Sequence, residues 1–476
     1  MNSGAAAQGG SIKMAKDKSK DKTSLKKIRT SFLSRSGALA KLGIQMTTGY
    51  TRHKVGSLLS SKENEARWLD FLKKQAGLLS SEIGDLKGSL MKAGQMLSVY
   101  GEYFLPPEVN QFLKTMQSES KPLEWEAIEK HLKTYLTKAQ LADLEIEKEA
   151  LASASLGQVH RARVKSTQEL IVLKIQYPNV DRAIDTDLKA LKTFINFLGI
   201  LPANLDLKPL FAEVKEMLVQ EMDYRQEAQM TKEFAERLKK DPRFIIPRVI
   251  DEFCSEKVLA TSFERGLRVD DPLIQSLSIE RRNRLASNFL DLYFKELFQW
   301  ETLQTDPHAG NYRLRINPSG SDQIILFDFG ATRKFDPKFM NAYHHMVKGA
   351  VMSDEKMFLK ASHDLKFLRK DDPEQLTDAF KEFCYETVEP FLEPTDARRN
   401  ALAMDDQGLY DWKKTDLPQR ISAKVLKILR EFPLRTPPRE LVFLDRKTGG
   451  VFVFLHMLGA KFNARKVILP YLENLK

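Results

Sequence analysis

The sequence predicts an α+β fold of two lobes, a small β-rich N-lobe and a helical C-lobe, preceded by a long helical segment. Three observations carry this. Leu72, Ala76, Leu79, Ile83, Leu86, Leu90, Ala93 and Leu97 step by four and three, one apolar stripe on a long helix. Between 145 and 180 the pattern changes to short runs divided by turns, "EALASASLGQVHRARV", "STQE" and "LIVLKIQYP". β-Branched residues concentrate in the last run, so the segment reads as strand, turn, strand, turn, strand. From Asp336 onward the chain returns to a mainly helical pattern.

Taken in order, residues 1–30 are small, polar and lysine-rich ("KMAKDKSKDKTSLKK") and read as a disordered basic tail. Such a tail either keeps the chain soluble or draws it to anionic lipid, at ~1 kcal/mol per basic residue near the surface. Residues 31–140 form the N-terminal helical extension. On its helix, Lys92 and Gln95 of "KAGQ" lie about 200° and about 140° round from Leu90. Spacing alone therefore makes them a solvated polar face. Residues 141–264 form the N-lobe. Within it, 206–238 has one helical period around "FAEVKEMLVQEMDYRQEAQM", and "KVLATSF" (257–263) is a strand. Residues 265–476 form the C-lobe. It opens with an amphipathic helix over 279–301 and a hairpin in "NYRLRINPSGSDQIILFDFG". Asp336 caps the next helix, with Pro337 in its first turn.

Composition narrows the class. A chain of 476 residues exceeds one small core, and 42% hydrophobic with 29% charged residues is globular. A net charge of +11 and a pI near 9.2 favour anionic partners. Two cysteines, Cys254 and Cys384, exclude a disulfide framework and a CxxC zinc pattern. No stretch reaches the ~18 unbroken apolar residues of a membrane span, and "GGVFVFLHMLGA" has the length of a core helix. The N-terminus lacks an apolar signal core, so membrane association is expected to be peripheral.

Five elements then carry chemistry. They are an alanine/serine turn at Ala152–Gly157, Lys174 inside "IVLKI", a helix with Glu221, Asp223 and Glu227, the D-x4-N spacing of Asp306 and Asn311 in "QTDPHAGN", and Asp328 in "LFDFG". Each alone is weak. In this order they match the phosphoryl-transfer set of a protein-kinase-like fold. A lysine within an apolar strand must be paired; here it holds nucleotide phosphates and is held by a helix carboxylate. Asn311 and Asp328 offer the oxygens that Mg²⁺ favours. Asp306 can orient a hydroxyl or water, or accept its proton. His308 reads as a loop filler beside Pro307. The choice of helix carboxylate stays open: Glu221 and Glu227 point about 120° apart on one helix, whereas Asp223 and Glu227 share a face.

With these residues in view, the chain resembles the UbiB family, the AarF-domain atypical kinase-like proteins of ubiquinone biosynthesis. The resemblance rests on "KAGQ" (Lys92, Gly94, Gln95), "ASAS" (Ala152, Ser153, Ala154, Ser155), Lys174, the E-x-D pair Glu221 and Asp223, Glu227, "QTDPHAGN" and "FDFGATR", and covers roughly 80–340. It implies a bilobal kinase-like fold whose K-x-G-Q extension caps the active site. It implies that Glu227 pairs with Lys174, that Glu221 and Asp223 meet Lys92, and that ATP or ADP binds with Mg²⁺. The alanine/serine loop, with Ser153 and Ser155 as candidate phosphate contacts, becomes a specialised nucleotide loop, stiffer than a glycine loop.

The implied function is an ATPase-like accessory factor for ubiquinone biosynthesis at the membrane surface, on the mitochondrial matrix side in a eukaryote and otherwise cytoplasmic. Expected partners are anionic lipids, quinone precursors and other ubiquinone-biosynthesis proteins, with no nucleic acid. The alternatives are a kinase for a lipid or small-molecule hydroxyl, or a nucleotide-gated non-catalytic scaffold. A helix begins soon after "FDFGATRKFD", with no A-P-E and no long activation segment, which argues against phosphorylation of proteins.

Overall fold

The computed structural model describes residues 89–104, 113, 122–197, 208–421, 424, 428 and 439–475. The basic tail and the stripe positions from Leu72 to Leu86 lie outside these residues. Helix α1 (Ser89–Phe104) carries the rest of the stripe, Leu90, Ala93 and Leu97, all buried. Met91, Met96 and Lys92 are buried as well. A helix covered nearly all round has no solvated face, which corrects the reading of Lys92 from spacing alone.

After α1 come α2 (Trp125–Tyr135), α3 (Lys138–Asp143), β1 (Leu144–Ile146), β2 (Ala152–Ser153), β3 (Gly157–Val164), β4 (Leu170–Gln176), α4 (Val180–Phe197), α5 (Lys208–Glu221), α6 (Tyr224–Leu238), β5 (Phe244–Ile245) and β6 (Val258–Ser262). The N-lobe sheet is antiparallel in the order β1-β3-β4-β6, with β2 on β3. Lys174 sits in the inner strand β4, opposite Val159 and Leu259. Ile171, Leu173 and Ile175 are buried on one face of β4; the two-residue period turns Lys174 to the other. An apolar strand can therefore carry a lysine without placing it in the core. Helix α1 packs on α4 and α5, and the Ser89 hydroxyl donates to buried Asp187 of α4.

The single helix expected over 206–238 is two. Helix α5 stops at Glu221 and α6 starts at Tyr224. Asp223 accepts the N–H groups of Arg225 and Gln226 at 3.1 and 3.0 Å, a local bond that competes with helix continuation. The Gln176 side chain holds the Met222 carbonyl at the break, at 3.1 Å.

In the C-lobe, α7 (Ile279–Phe294) runs into a π-helical turn, Lys295–Trp300, that ends at Glu301 with φ 49°. Then come β7 (Thr302–Gln304), β8 (Tyr312–Arg315), β9 (Gln323–Leu326), β10 (Thr332–Lys334), α8 (Pro337–Val351), α9 (Glu355–Asp364), α10 (Glu374–Thr387), β11 (Tyr410–Asp411), α11 (Arg439–Met457), β12 (Lys461–Phe462) and α12 (Arg465–Glu473). The predicted hairpin is β8–β9, turning at Gly320 with φ +80°. Pairing of β7 with β10 sets the loop after β7 beside the segment after β9. Asp336 caps α8 through the Phe339 N–H at 3.0 Å. Strand β5 pairs in parallel with β9, Phe244 opposite Ile324, so the chain before residue 265 already contributes to the C-lobe. Val451, Phe454 and Leu455 of the "GGVFVFLHMLGA" run are buried in α11. Among the described residues no helix is long and apolar enough to cross a membrane.

Candidate active site

Strand β4, helix α6 and the segment after β9 meet at Lys174. Its Nζ donates to both oxygens of Glu227, at 2.6 and 2.9 Å, and to Asp328 Oδ2 at 3.2 Å. The Tyr224 ring centroid lies 5.2 Å away. Burial opposes the Lys174 charge, but Asp328 and Glu227 outweigh it and hold its pKa well above the ordinary lysine value. Burial pushes the Glu227 carboxyl up, with Lys174 working against it. Asp328 Oδ1 accepts the Gly330 N–H at 3.0 Å, which closes the turn after the strand. A Cβ at Gly330 would lie 3.1 Å from Glu227 Oε2, so this glycine permits the close approach. Phe329 packs on Phe234 of α6, centroids 4.8 Å apart, and joins the Asp328 segment to the helix that carries Glu227.

A second lysine enters from the opposite side. Lys92 of α1 lies 2.9 Å from Glu221, at the end of α5, and 3.4 Å from Asp306. Arg446 of α11 reaches the other Asp306 oxygen at 2.6 Å. Burial would lower the Lys92 pKa, yet Glu221 and Asp306 hold it above the usual value. Burial would raise Asp306, yet Lys92 and Arg446 hold it well below the usual carboxylate range. Burial also lifts Glu221, partly offset by Lys92. Asp223 does not share this cluster. It is exposed and spends its carboxylate on the cap of α6, so the implied meeting of both E-x-D carboxylates with Lys92 is corrected to Glu221 alone. Gln95 is half-buried and does not line the cavity.

The loop that carries Asp306 is held by its backbone. Gln304 Nε2 and Asn311 Nδ2 both donate to the Asp306 carbonyl, at 2.8 and 2.9 Å. Thr305 donates to the Ala331 carbonyl through its N–H at 3.1 Å and its hydroxyl at 2.7 Å. His308 Nδ1 accepts the Gly310 N–H at 3.0 Å and caps the turn Ala309–Asn311. Its ring is exposed and occupied as a cap, in keeping with a loop filler.

The alanine/serine segment is a short hairpin. Ala152 and Ser153 pair with Val159 and Gln158, and the Ala154 N–H donates to the Gly157 carbonyl at 2.8 Å. Ser153 Oγ lies 2.8 Å from the Tyr177 hydroxyl. No residue from 152 to 157 has positive φ. Gly157 serves proximity instead: a Cβ there would lie 2.5 Å from the Ile175 carbonyl oxygen and 2.9 Å from the Tyr224 hydroxyl. The turn thus keeps its shape through ordinary strand pairing rather than left-handed backbone.

Lys92, Lys174, Glu221, Glu227, Asp306 and Asp328 surround, with Gly330 and Ala331, a cavity of about 30 Å³. That is room for a water or two, whereas drug-sized ligands occupy about 300–1,000 Å³. Ala152–Ser155 and Asn311 stand outside this lining. Arg446 was not foreseen from the sequence. Nothing local marks it, since it lies 140 residues from Asp306 along the chain.

A family profile described as "ABC1 atypical kinase-like domain" matches residues 115–362, 248 of the 476. The chain belongs to the UbiB family of ABC1 atypical kinase-like proteins. It is 31% identical over 439 residues to the zebrafish (Danio rerio) protein named "Atypical kinase COQ8B, mitochondrial", covering 91% of this chain and 65% of that one. It is 30% identical to the rat (Rattus norvegicus) COQ8B, covering 94% and 81%. To the Saccharomyces cerevisiae "Atypical kinase COQ8, mitochondrial" it is 28% identical, covering 86% and 78%. Among solved structures, a Mycobacterium tuberculosis protein described as the Rv3197–erythromycin complex aligns with TM-score 0.55 at 23% identity, over 87% of this chain and 98% of that one. That likeness supports the bilobal kinase-like α+β fold. The chain spans just under two thirds of the zebrafish relative's length.

Proposed function

We propose that the protein is an atypical kinase-like ATPase that serves ubiquinone biosynthesis at a membrane surface and does not phosphorylate proteins in trans. The observation that carries the reading is Lys174 held between Glu227 and Asp328, beside the Asp306 loop. Kinase-like sites require that alignment for phosphoryl transfer. The donor set fits Mg²⁺. Asn311 commits its amide nitrogen to the Asp306 carbonyl, so its remaining donor is an oxygen. Two lysines and Arg446 face four carboxylates, and a divalent cation would offset the excess acid. Asn311 and Asp328 would hold the ion, and Lys174 with the Ala152–Ser155 hairpin the nucleotide. When bound, Mg·ATP supplies the transferable phosphoryl group and the cation that offsets its charge. Lys174 orients phosphates, Glu227 orients Lys174, and Asp306 orients a water or hydroxyl.

The cap argues for a small acceptor. Lys92 and Arg446 engage both oxygens of Asp306, the carboxylate that a peptide hydroxyl would have to reach. The pathway and the site of action follow the relatives' names, COQ8 and mitochondrial; the basic composition suits an anionic membrane surface on the matrix side.

The test is phosphate release from Mg·ATP with and without anionic liposomes and phenolic quinone precursors. Stimulated release is expected, and Asp306→Asn should lower it by about 10²- to 10⁴-fold. A phosphorylated phenol or lipid in the product would replace this reading with that of a small-molecule kinase. Nucleotide binding without turnover, together with unimpaired complementation by Asp306→Asn, would replace it with that of a scaffold.

A further inference from the structure

The Asp306 loop is braced by a charge pair that the chemistry above does not use. Glu296, in the π-helical turn after α7, and Lys447, in the middle of α11, are each 2% exposed, and their charged groups lie 2.8 Å apart. A buried ion pair is seldom better for stability than two apolar side chains of the same size, so this pair calls for another account.

Its connections supply one. The Glu296 oxygen that receives Lys447 also accepts the Gln304 N–H, at 3.0 Å. Gln304 ends β7 and donates through Nε2 to the Asp306 carbonyl at 2.8 Å. A charged acceptor makes the bond to Gln304 stronger than a neutral one would. Helix α11 also bears on the residue after Asp306. A Cβ at Gly450 would lie 2.1 Å from Pro307 Cγ, so the helix approaches Pro307 as only a glycine allows. The π-turn that presents Glu296 is a form concentrated at functional sites.

We propose that Glu296 and Lys447 are positioning residues, a buried pair that fixes the backbone from Gln304 to Pro307 and so sets the reach of the Asp306 carboxylate into the cavity. The inference rests on the phosphoryl-transfer reading above. A reacting group moved by a fraction of an ångström loses rate out of proportion to any loss of stability.

The test uses the full chain and the double substitution Glu296→Gln/Lys447→Met. It removes both charges, keeps the bulk of both side chains and retains an acceptor for Gln304. In Asp306-dependent phosphate release, kcat should fall by about 10- to 100-fold, with the KM for Mg·ATP within about threefold of wild type. Amide hydrogen exchange at 304–311 should rise by about tenfold while α7 and α11 keep their protection. Where phosphate release depends on Asp306, unchanged kcat overturns the proposal, whatever the exchange shows. Faster exchange spread evenly over α7 and α11 also overturns it, because it marks an ordinary core contact. Should the double variant fail to melt cooperatively, Glu296→Asp, which keeps the charge and withdraws it by one methylene, is read by the same two measurements and the same criteria. If Asp306→Asn leaves wild-type phosphate release intact, the phosphoryl-transfer reading fails, and exchange at 304–311 alone decides whether the pair positions the loop.

Discussion

The two sides of the cavity are built from the same parts. On one, Lys174 stands between Glu227 and Asp328; on the other, Lys92 stands between Glu221 and Asp306. The difference is access. The Lys174 side chain is 23% exposed and the Lys92 side chain 8%. Lys174 comes from the sheet of the N-lobe and faces Asp328 of the C-lobe. Lys92 comes from the helical extension ahead of both lobes, and its partners include the carboxylate expected to meet the phosphoryl acceptor. On the function proposed above, Lys174 would serve the nucleotide, and Lys92 with Arg446 would stand where an acceptor goes. Such a scaffold would keep its nucleotide apparatus and restrict its acceptors by occupying their place with its own cations.

The Lys174 side should break most completely. Asp328→Asn removes the proposed metal carboxylate and a Lys174 partner while preserving side-chain size. Thermal stabilisation by Mg·ADP should fall from several degrees to none, since ligand stabilisation scales with the logarithm of concentration over Kd. Differential scanning fluorimetry across a nucleotide titration reads it. Undiminished stabilisation would remove Asp328 from the nucleotide and metal site.

That side was also the more legible in the sequence, for a physical reason. Lys174 and Asp328 each belong to a short segment whose local pattern marks it, an apolar strand with one charge and a strand ending in glycine, whereas on the other side only Asp306 has such a marker, its fixed spacing to Asn311. The Lys92 side depends on contacts between distant segments. Arg446 has no local marker, and its partner lies 140 residues away. The helical period placed Lys92 off the apolar stripe but could not say that α4, α5 and the site would cover the remaining faces of α1. The apolar period likewise ran unbroken through Met222 and Asp223, where the chain in fact stops one helix and starts another. A cap changes the backbone without interrupting the pattern of apolar residues, so hydrophobic periodicity does not see it.

Lys92→Met tests the occluded side. It leaves Glu221 and Asp306 buried with one cation fewer, and breaking a buried pair from one end costs about 3 kcal/mol. Part is recovered because Arg446 still reaches Asp306. The pH dependence should change as well. In the wild type Asp306 is held well below its ordinary pKa. Its contribution to stability is therefore fully present above the unfolded value of about 4 and is lost only as pH falls through the lower folded value. Without Lys92, burial gains ground and the folded pKa rises. The acid limb of stability and of phosphate release should then move up by about one pH unit. Melting temperature between about pH 2 and 7, with phosphate release over the part of that range in which the chain stays folded, reads both effects. An acid limb that stays in place would mean that Arg446 alone keeps Asp306 ionised.

The smallest effect separates the two members of the E-x-D pair. Glu221 holds Lys92, whereas Asp223 holds the first turn of α6. Asp223→Ala should cost about 1 kcal/mol, the ordinary price of a lost N-cap. Because α6 presents Glu227 from that same first turn, fraying there should loosen Lys174 before it touches Lys92. A modest rise in the KM for Mg·ATP is therefore expected, with the acid limb unmoved. Asp223→Asn keeps the cap oxygen and removes the charge, so it should behave as wild type. If Asp223→Asn instead shifts the acid limb as Lys92→Met does, Asp223 acts on Lys92 through its charge, and the division of labour between the two carboxylates is lost.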